Sequence, residues 1–194
     1  MSLVPADGMM STVTDQTASP PPPELRPVTE ADLDQFDQAF AGEAGATTYQ
    51  WFGFTATHGL REALRTRGLL GGPDNMLSVQ VDGDLAGRVE WLERRWGRRD
   101  TSLCWEIAVG LLPAFRGRGI GTAAQRELVR YLFTHTRVER IQATTDPENQ
   151  AEVRCLEKIG FTAEGLVRRA QWRGGRWHDQ RLYSLLRDEF DPST

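Results

Sequence analysis

"AFRGRGIGTAA", residues 114–124, packs three glycines and two arginines into the six positions 116–121 and then turns at once into small helix-forming residues. Ahead of it, "SLCWEIAVGLL" (102–112) is an apolar run of the length and composition of a central strand. Behind it, Ile120, Ala124, Leu128 and Tyr131 or Leu132 fall on one stripe of an amphipathic helix. The segment is therefore a strand, a glycine loop and a helix, and "RVERIQATT" (137–145) supplies the next strand. A strand–helix–strand passage demands local parallel pairing.

The neighbouring segments demand the opposite. "MLSVQVDGDLAGRVEWL" (76–92) alternates around Asp82-Gly83, a two-residue hairpin signal. "RVEWLERRWGRRD" (88–100) and "RRAQWRGGRWHDQR" (168–181) read as further hairpins, with Gly97 and Gly174-Gly175 at their tips. Helices are expected from Thr29, an N-cap with Asp32 near N3, and over "ATHGLREALRTRGLL", ending at Gly68. A last helix runs between Asn149, in capping-box spacing with Glu152, and the terminator Gly160, with Ala151, Cys155 and Ile159 on one face. A short first strand at "LRPV" and two strands after Phe161 complete a mixed α/β sheet.

Composition sets the bounds. The 194 residues are 39% hydrophobic and 26% charged, which suits one globular domain over residues 24–190. Residues 1–23 end in a proline run and read as a disordered leader, and 191–194 as a tail. No basic and apolar signal segment and no membrane-length apolar run occurs. Cys104 and Cys155 are far apart and the three histidines are scattered, so neither a disulfide framework nor a metal site is expected, and the cytoplasm is the expected compartment. The net charge of −4 argues against bulk nucleic-acid binding. All basic residues except Lys158 are arginine. The two arginine-rich hairpins read as solvated surface or as contacts to an acidic partner, and they leave a homodimer open.

The glycine loop has a bland reading as a plain turn and an informative one. A helix start leaves amides unpaired and carries partial positive charge, and glycines let a phosphate approach the backbone. Arg116 and Arg118 add charge beside it. A P-loop needs lysine after its glycine, but Gly121 is followed by Thr122. A dinucleotide fingerprint needs glycine at 122, and it fails too. What remains is R-x-x-G-x-G, Arg116 to Gly121.

That motif resembles the acyl-CoA-binding motif of the GNAT N-acetyltransferases. "N-x-x-x-x-R-x-L-E-K-I-G-F" (Asn149 to Phe161) and "D-x-x-x-Y-S-L-L-R-x-E" (Asp179 to Glu189) are similar to the branch that acetylates ribosomal-protein N-termini. The resemblance implies a mostly antiparallel sheet of six to seven strands flanked by about four helices. It implies acetyl-CoA as co-substrate, no metal, and direct transfer to a primary amine acceptor, either a peptide N-terminus or a small molecule. By the same resemblance, the amides of Gly117, Arg118, Gly119, Ile120, Gly121 and Thr122 hold the diphosphate. The strand backbone at Val109 serves the pantetheine arm, the amides from Val109 to Leu111 face the oxyanion beside a splay in the sheet, and Asn149 contacts the cofactor arm or simply caps its helix. Glu106 is the candidate general base, since a mid-strand carboxylate is costly unless paired, for example with Arg88, or used. Glu90 is its reserve.

The sequence departs from the family at the acid. Leu156 stands where a tyrosine is usual and Glu152 where the branch often has serine; Tyr183 is a substitute that also suits a core. Cys155 reads as a small core residue. "TTYQWFGF" (47–54) groups Tyr49, Trp51, Phe52 and Phe54, either to wall an acceptor pocket or to pack on the sheet. A non-catalytic acyl-CoA sensor and an arginine-rich nucleic-acid binder are the rival functions.

Overall fold

The computed structural model describes residues 22–191. The expected leader lies outside them except for residues 22 and 23, and the tail except for residue 191. The chain runs β1 (Glu24–Pro27), α1 (Glu30–Ala39), α2 (Glu43–Ala46), α3 (His58–Arg67), β2 (Asp74–Val81), β3 (Asp84–Arg95), α4 (Arg99–Ser102), β4 (Leu103–Leu111), α5 (Ile120–His135), β5 (Arg140–Thr145), α6 (Gln150–Ile159), β6 (Thr162–Arg173) and β7 (Arg176–Leu186). One seven-stranded sheet has the order β1-β2-β3-β4-β5-β7-β6. Its single parallel pair is β4 with β5, the two strands joined through the glycine loop and α5. Every other neighbouring pair is antiparallel.

Local chemistry explains the elements. Asp82 (φ 54°) and Gly83 (φ 85°) both adopt the left-handed region that a tight hairpin requires. At the start of α1, Thr29 and Asp32 form a reciprocal capping box. The Asp32 carboxylate, buried at 3% exposure, also accepts from Arg26 (2.6 and 2.8 Å) and from the Ser78 hydroxyl (2.9 Å). It thus ties α1 to β1 and β2.

Alternation along β2 divides the core between the two faces of the sheet. Leu77, Val79 and Val81 join Val89, Trp91 and the α5 residues Ala124, Leu128 and Leu132 in the larger cluster. Met76 joins Leu33, Phe36 and Leu85 in a smaller cluster with α1 and α3. Helix α6 corrects the expected burial face. Val153, Cys155, Leu156 and Ile159 are buried and Ala151 is exposed, because Ala151 lies roughly a third of a turn off the centre of that stripe. The single-turn helices α2 and α4 raise the helix count above the expected four; four residues are too few to show a period. Among the described residues no helix is long and apolar enough to cross a membrane.

Candidate active site

The site begins where β4 loses a neighbour. Pairing of β4 with β5 covers only Trp105 with Ile141 and Glu106 with Gln142, whereas pairing with β3 continues to Leu111. Beyond Glu106 the two central strands splay, as the resemblance implied. Antiparallel pairing sends the polar groups of alternate residues to opposite sides of a strand. Val109 and Leu111 send theirs into the gap. The Val109 carbonyl accepts from Gln50 Nε2 at 2.9 Å and the Leu111 carbonyl from Arg116 Nε at 2.9 Å. Side chains thus cover two acceptors of an open strand edge.

That edge leads into the glycine loop. A single 3₁₀ turn, Pro113–Phe115, ends β4, and Gly117 (φ 72°) and Gly119 (φ 79°) bend the chain through conformations that side chains disfavour. The first bond of α5 runs from the Ala123 amide to the Gly119 carbonyl at 3.1 Å, so the amides of Ile120, Gly121 and Thr122 precede the helical ladder. A Cβ placed on Gly117 or Gly119 would meet no atom within 4 Å, and one on Gly121 would only touch Leu111 Cδ1 at 3.6 Å. The glycines therefore border open space, as an approaching ligand requires. Arg118 is exposed, its guanidinium 5.6 Å above the Phe115 ring. Arg116 is turned inward, donating to the carbonyls of Leu111 and Gly45. Burial lowers its pKa from the guanidinium value, so it is a desolvated cation that a nearby anion would stabilise.

Glu106 lies on β4 beside the start of the splay, its side chain 16% exposed. It is paired, but with Arg94 (3.0 Å) and not with Arg88, the example given for that alternative; Gln142 Nε2 (2.9 Å) and Thr144 Oγ1 (3.4 Å) donate to it as well. The register explains this. Glu106 is opposite Leu92, one diagonal step from Arg94, while Arg88 is opposite Gly110 and pairs with Glu90. Glu90, the reserve base, is therefore held by Arg88.

Asn149 caps α6 through its Oδ1, which accepts the Glu152 amide at 3.3 Å. The reciprocal contact of a full capping box is not among its described bonds. A cavity of about 210 Å³ brings Glu106, Val109, Asn149 and Glu152 together. Burial raises the Glu152 pKa above the usual carboxylate value, and a hydrogen bond from Gln125 offsets part of the rise. Burial first, with Glu152 beside it, pushes the Cys155 thiol up to about 11, which leaves it a protonated packing residue at neutral pH. Leu156 is fully buried, and so is Tyr183, whose hydroxyl reaches Glu157 at 3.4 Å.

On the far side of the strand edge, the 47–54 loop is anchored at both ends of Tyr49. Its hydroxyl donates to the Glu148 carbonyl (3.1 Å), and its own carbonyl accepts from Arg173 (2.5 Å). Trp51 and Phe54 meet edge to face, 5.3 Å between centroids, and line a cavity of about 470 Å³ with Phe36, Phe40, Leu60 and Arg88. Phe52 lines both a neighbouring cavity of about 210 Å³ that contains Gly110 and the cavity that contains Glu106. Sequence reasoning missed Gln50, Arg94 and the buried Arg173–Asp146 pair, all of which brace the site. Each pairs with a residue at least 12 positions away, and no local pattern marks such a contact.

Residues 24–162 match the family model described as Acetyltransferase (GNAT) domain. Over 87 residues the sequence is 30% identical to spermidine N(1)-acetyltransferase of Escherichia coli (strain K12), covering 45% of each chain. It is also 30% identical over 87 residues to the uncharacterized N-acetyltransferase YnaD of Bacillus subtilis (strain 168), covering 45% of this chain and 51% of that one. The chain spans about half the length of the curated relatives it matches. Among solved structures, spermidine N-acetyltransferase from Vibrio cholerae in complex with CoA and spermine superposes with a TM-score of 0.73 at 21% identity, covering 86% of this chain and 96% of that one. Mycobacterium smegmatis RimJ in complex with CoA-disulfide gives 0.71 at 24% identity, covering 86% and 83%. At such identities the likeness is one of fold. The family match extends from the first strand into the sixth, across both the splay and the glycine loop, and this chain belongs to the GNAT acetyltransferase family.

Proposed function

We propose that the protein transfers an acetyl group from acetyl-CoA directly to a primary amine. One observation carries the reading. A strand edge freed of its neighbour at Val109 and Leu111 runs straight into the loop that opens α5, where Gly117 and Gly119 present no side chain to the open space beside the helix start. An extended, amide-bearing arm ending in a diphosphate matches that sequence of groups, the arm as an added strand and the phosphates at the helix start. The residues fit the co-substrate: the glycines leave room for it, and Arg116 is a half-buried charge that forms no ion pair with a carboxylate among the described residues.

In this reading the chain's part in the chemistry is mostly placement. Val109 and Leu111 direct the thioester, their amides face the developing oxyanion, and Glu106 receives the proton that the amine sheds. The 47–54 loop, whose Tyr49 and Phe52 share the cavity of Glu106, receives the acceptor. Similarity to spermidine N(1)-acetyltransferase supports an amine there, a small molecule or, by the motif resemblance, a peptide N-terminus. The test is release of free thiol from acetyl-CoA across a panel of amines and peptides, with product mass measured. Acetyl-CoA binding without thiol release from any acceptor would instead make the protein an acyl-CoA sensor.

The cradle has its own test. Asn and Asp tolerate the left-handed backbone of Gly119 better than other side chains, at a strain of about 1 kcal/mol. Both would project into open space. Gly119→Asn is expected to weaken acetyl-CoA binding a few-fold and Gly119→Asp at least tenfold, with the difference shrinking as salt rises. Calorimetric titration reads this; equal losses in the two variants would place the phosphates elsewhere.

A further inference from the structure

We propose that the acceptor is a small primary amine with a single apolar body, an aromatic ring or a short alkyl chain, and no second positive charge, an inference that rests on the acetyl-transfer reading above. The subsite for that body is a pair of adjoining cavities beside α1. The smaller, about 210 Å³, has Gly110 of β4 in its wall, between the two residues that direct the thioester in that reading. It shares Gln50 and Phe52 with the cavity of Glu106. The larger, about 470 Å³, adjoins it at Phe40, Trp51 and Thr55, which line both. A Cβ on Gly110 would lie 3.7 Å from Phe40 and 3.8 Å from Arg88, so the glycine keeps the floor of the smaller cavity open.

Charge decides what such a space accepts. Among the described residues the only carboxylate that lines either cavity is Asp37, and the Arg61 guanidinium and the Thr57 hydroxyl already engage it. The one charged side chain common to both cavities is Arg88. Its guanidinium carbon lies 5.4 Å from the Phe36 ring centroid and 5.0 Å from that of Phe40, so it occupies a face of each ring that could otherwise attract an ammonium. Its own partner, Glu90, lines neither cavity. A second ammonium would therefore shed water and meet Arg88 with no free counter-ion. Carbon fares better. Leu33, Leu60, Phe36 and the edge-to-face pair Trp51 and Phe54 make a wall suited to a ring or an alkyl chain, and the volume is that of a small-molecule pocket.

A third cavity, about 580 Å³, has the opposite character, with the exposed carboxylates Glu43 and Glu148 in its wall. A polyamine would be drawn there. No residue of β4 lines that cavity, however, and Arg173, Arg176 and His178 do. The subsite that reaches β4 at Gly110 is the one without a free carboxylate.

The experiment compares kcat/KM, read by thiol release, for phenethylamine and hexylamine against putrescine and spermidine. The two apolar monoamines are expected to be preferred at least tenfold. Phe54→Glu adds the missing carboxylate at a position that is 92% exposed, where the fold tolerates it. It should lower kcat/KM for phenethylamine at least fivefold and raise that for putrescine. Glu43→Gln combined with Glu148→Gln should leave phenethylamine turnover within twofold of wild type. Calorimetric titration of phenethylamine into the CoA-bound protein reads the subsite without turnover, and the affinity should fall in Phe54→Glu. Preference for the polyamines, unchanged kcat/KM for both amines in Phe54→Glu, or phenethylamine binding indifferent to that substitution would overturn the inference and leave acetyl transfer standing. Absence of thiol release with all four amines and with the peptides would remove the acetyl-transfer reading, and this one with it.

Discussion

Glu106→Gln is expected to lower kcat about a thousandfold near neutral pH while leaving acetyl-CoA affinity within twofold. Removal of a general base costs between a hundred- and ten-thousandfold, and the carboxylate stands at the start of the splay without contacting the glycine cradle. The competing explanation is structural. Glu106 is the hub of a network in which Arg94, Gln142 and Thr144 all donate to it, and Gln142 Oε1 is itself engaged by Trp96 Nε1 at 3.0 Å. Arg94→Gln separates the two explanations. It breaks the ion pair, whose arginine is 47% exposed and contributes no more than about 1 kcal/mol, but leaves the carboxylate in place. Near wild-type kcat in Arg94→Gln alongside a thousandfold loss in Glu106→Gln identifies a base. Losses of similar size in both would identify a brace, and turnover within threefold of wild type in Glu106→Gln would remove it from the chemistry.

The largest stability effect is expected at Asp32. Asp32→Ala should destabilise the fold by about 2–3 kcal/mol, because a buried carboxylate that caps α1 and satisfies several donors is lost while Arg26, its side chain 29% exposed, can still reach water. The Arg26 guanidinium, the Thr29 amide and the Ser78 hydroxyl lose their common acceptor, and α1 loses its reciprocal cap. The same cluster sets a pH dependence. Burial pushes the Asp32 carboxyl up, but Arg26, the Thr29 backbone and Ser78 outweigh it and hold the group well below the carboxylate range. A depressed native pKa means that the contribution is complete above the unfolded value, about 3.9, and is lost as pH falls below it toward the native pKa. Chemical denaturation at pH 7 and at pH 3 measures both effects. The gap between wild type and Asp32→Ala should narrow in acid; a constant gap would mean that the carboxylate charge contributes nothing.

The architecture was readable because its strongest signals are local. Asp82-Gly83 fixes a hairpin, Thr29 with Asp32 starts a helix, and the strand–glycine–helix run from residue 103 to 135 permits only a parallel crossover. Such features depend on residues a few positions apart. The details of the site depend on register, which no local pattern encodes. Whether Arg88 or Arg94 meets Glu106 turns on how many residues the β3–β4 connection absorbs, and there the single turn of α4 intervened. The closure of Asp146 by Arg173 joins positions 27 apart, and the hold of Gln50 on Val109 joins positions 59 apart. Glu152 was legible only as a departure from a family pattern; its place in a cavity lined, among the described residues, by no arginine or lysine emerges once β4 and α6 are assembled around it.

The 47–54 loop has two employers. Gln50 is fastened to the Val109 carbonyl, and its neighbour Trp51 forms part of the aromatic wall. Gln50 and Trp51 are adjacent, so a ligand group that takes that carbonyl removes a tether one residue from the wall. In the acetyl-transfer reading proposed above, a co-substrate arm that takes the Val109 carbonyl would release Gln50 and with it one anchor of the loop that carries Trp51.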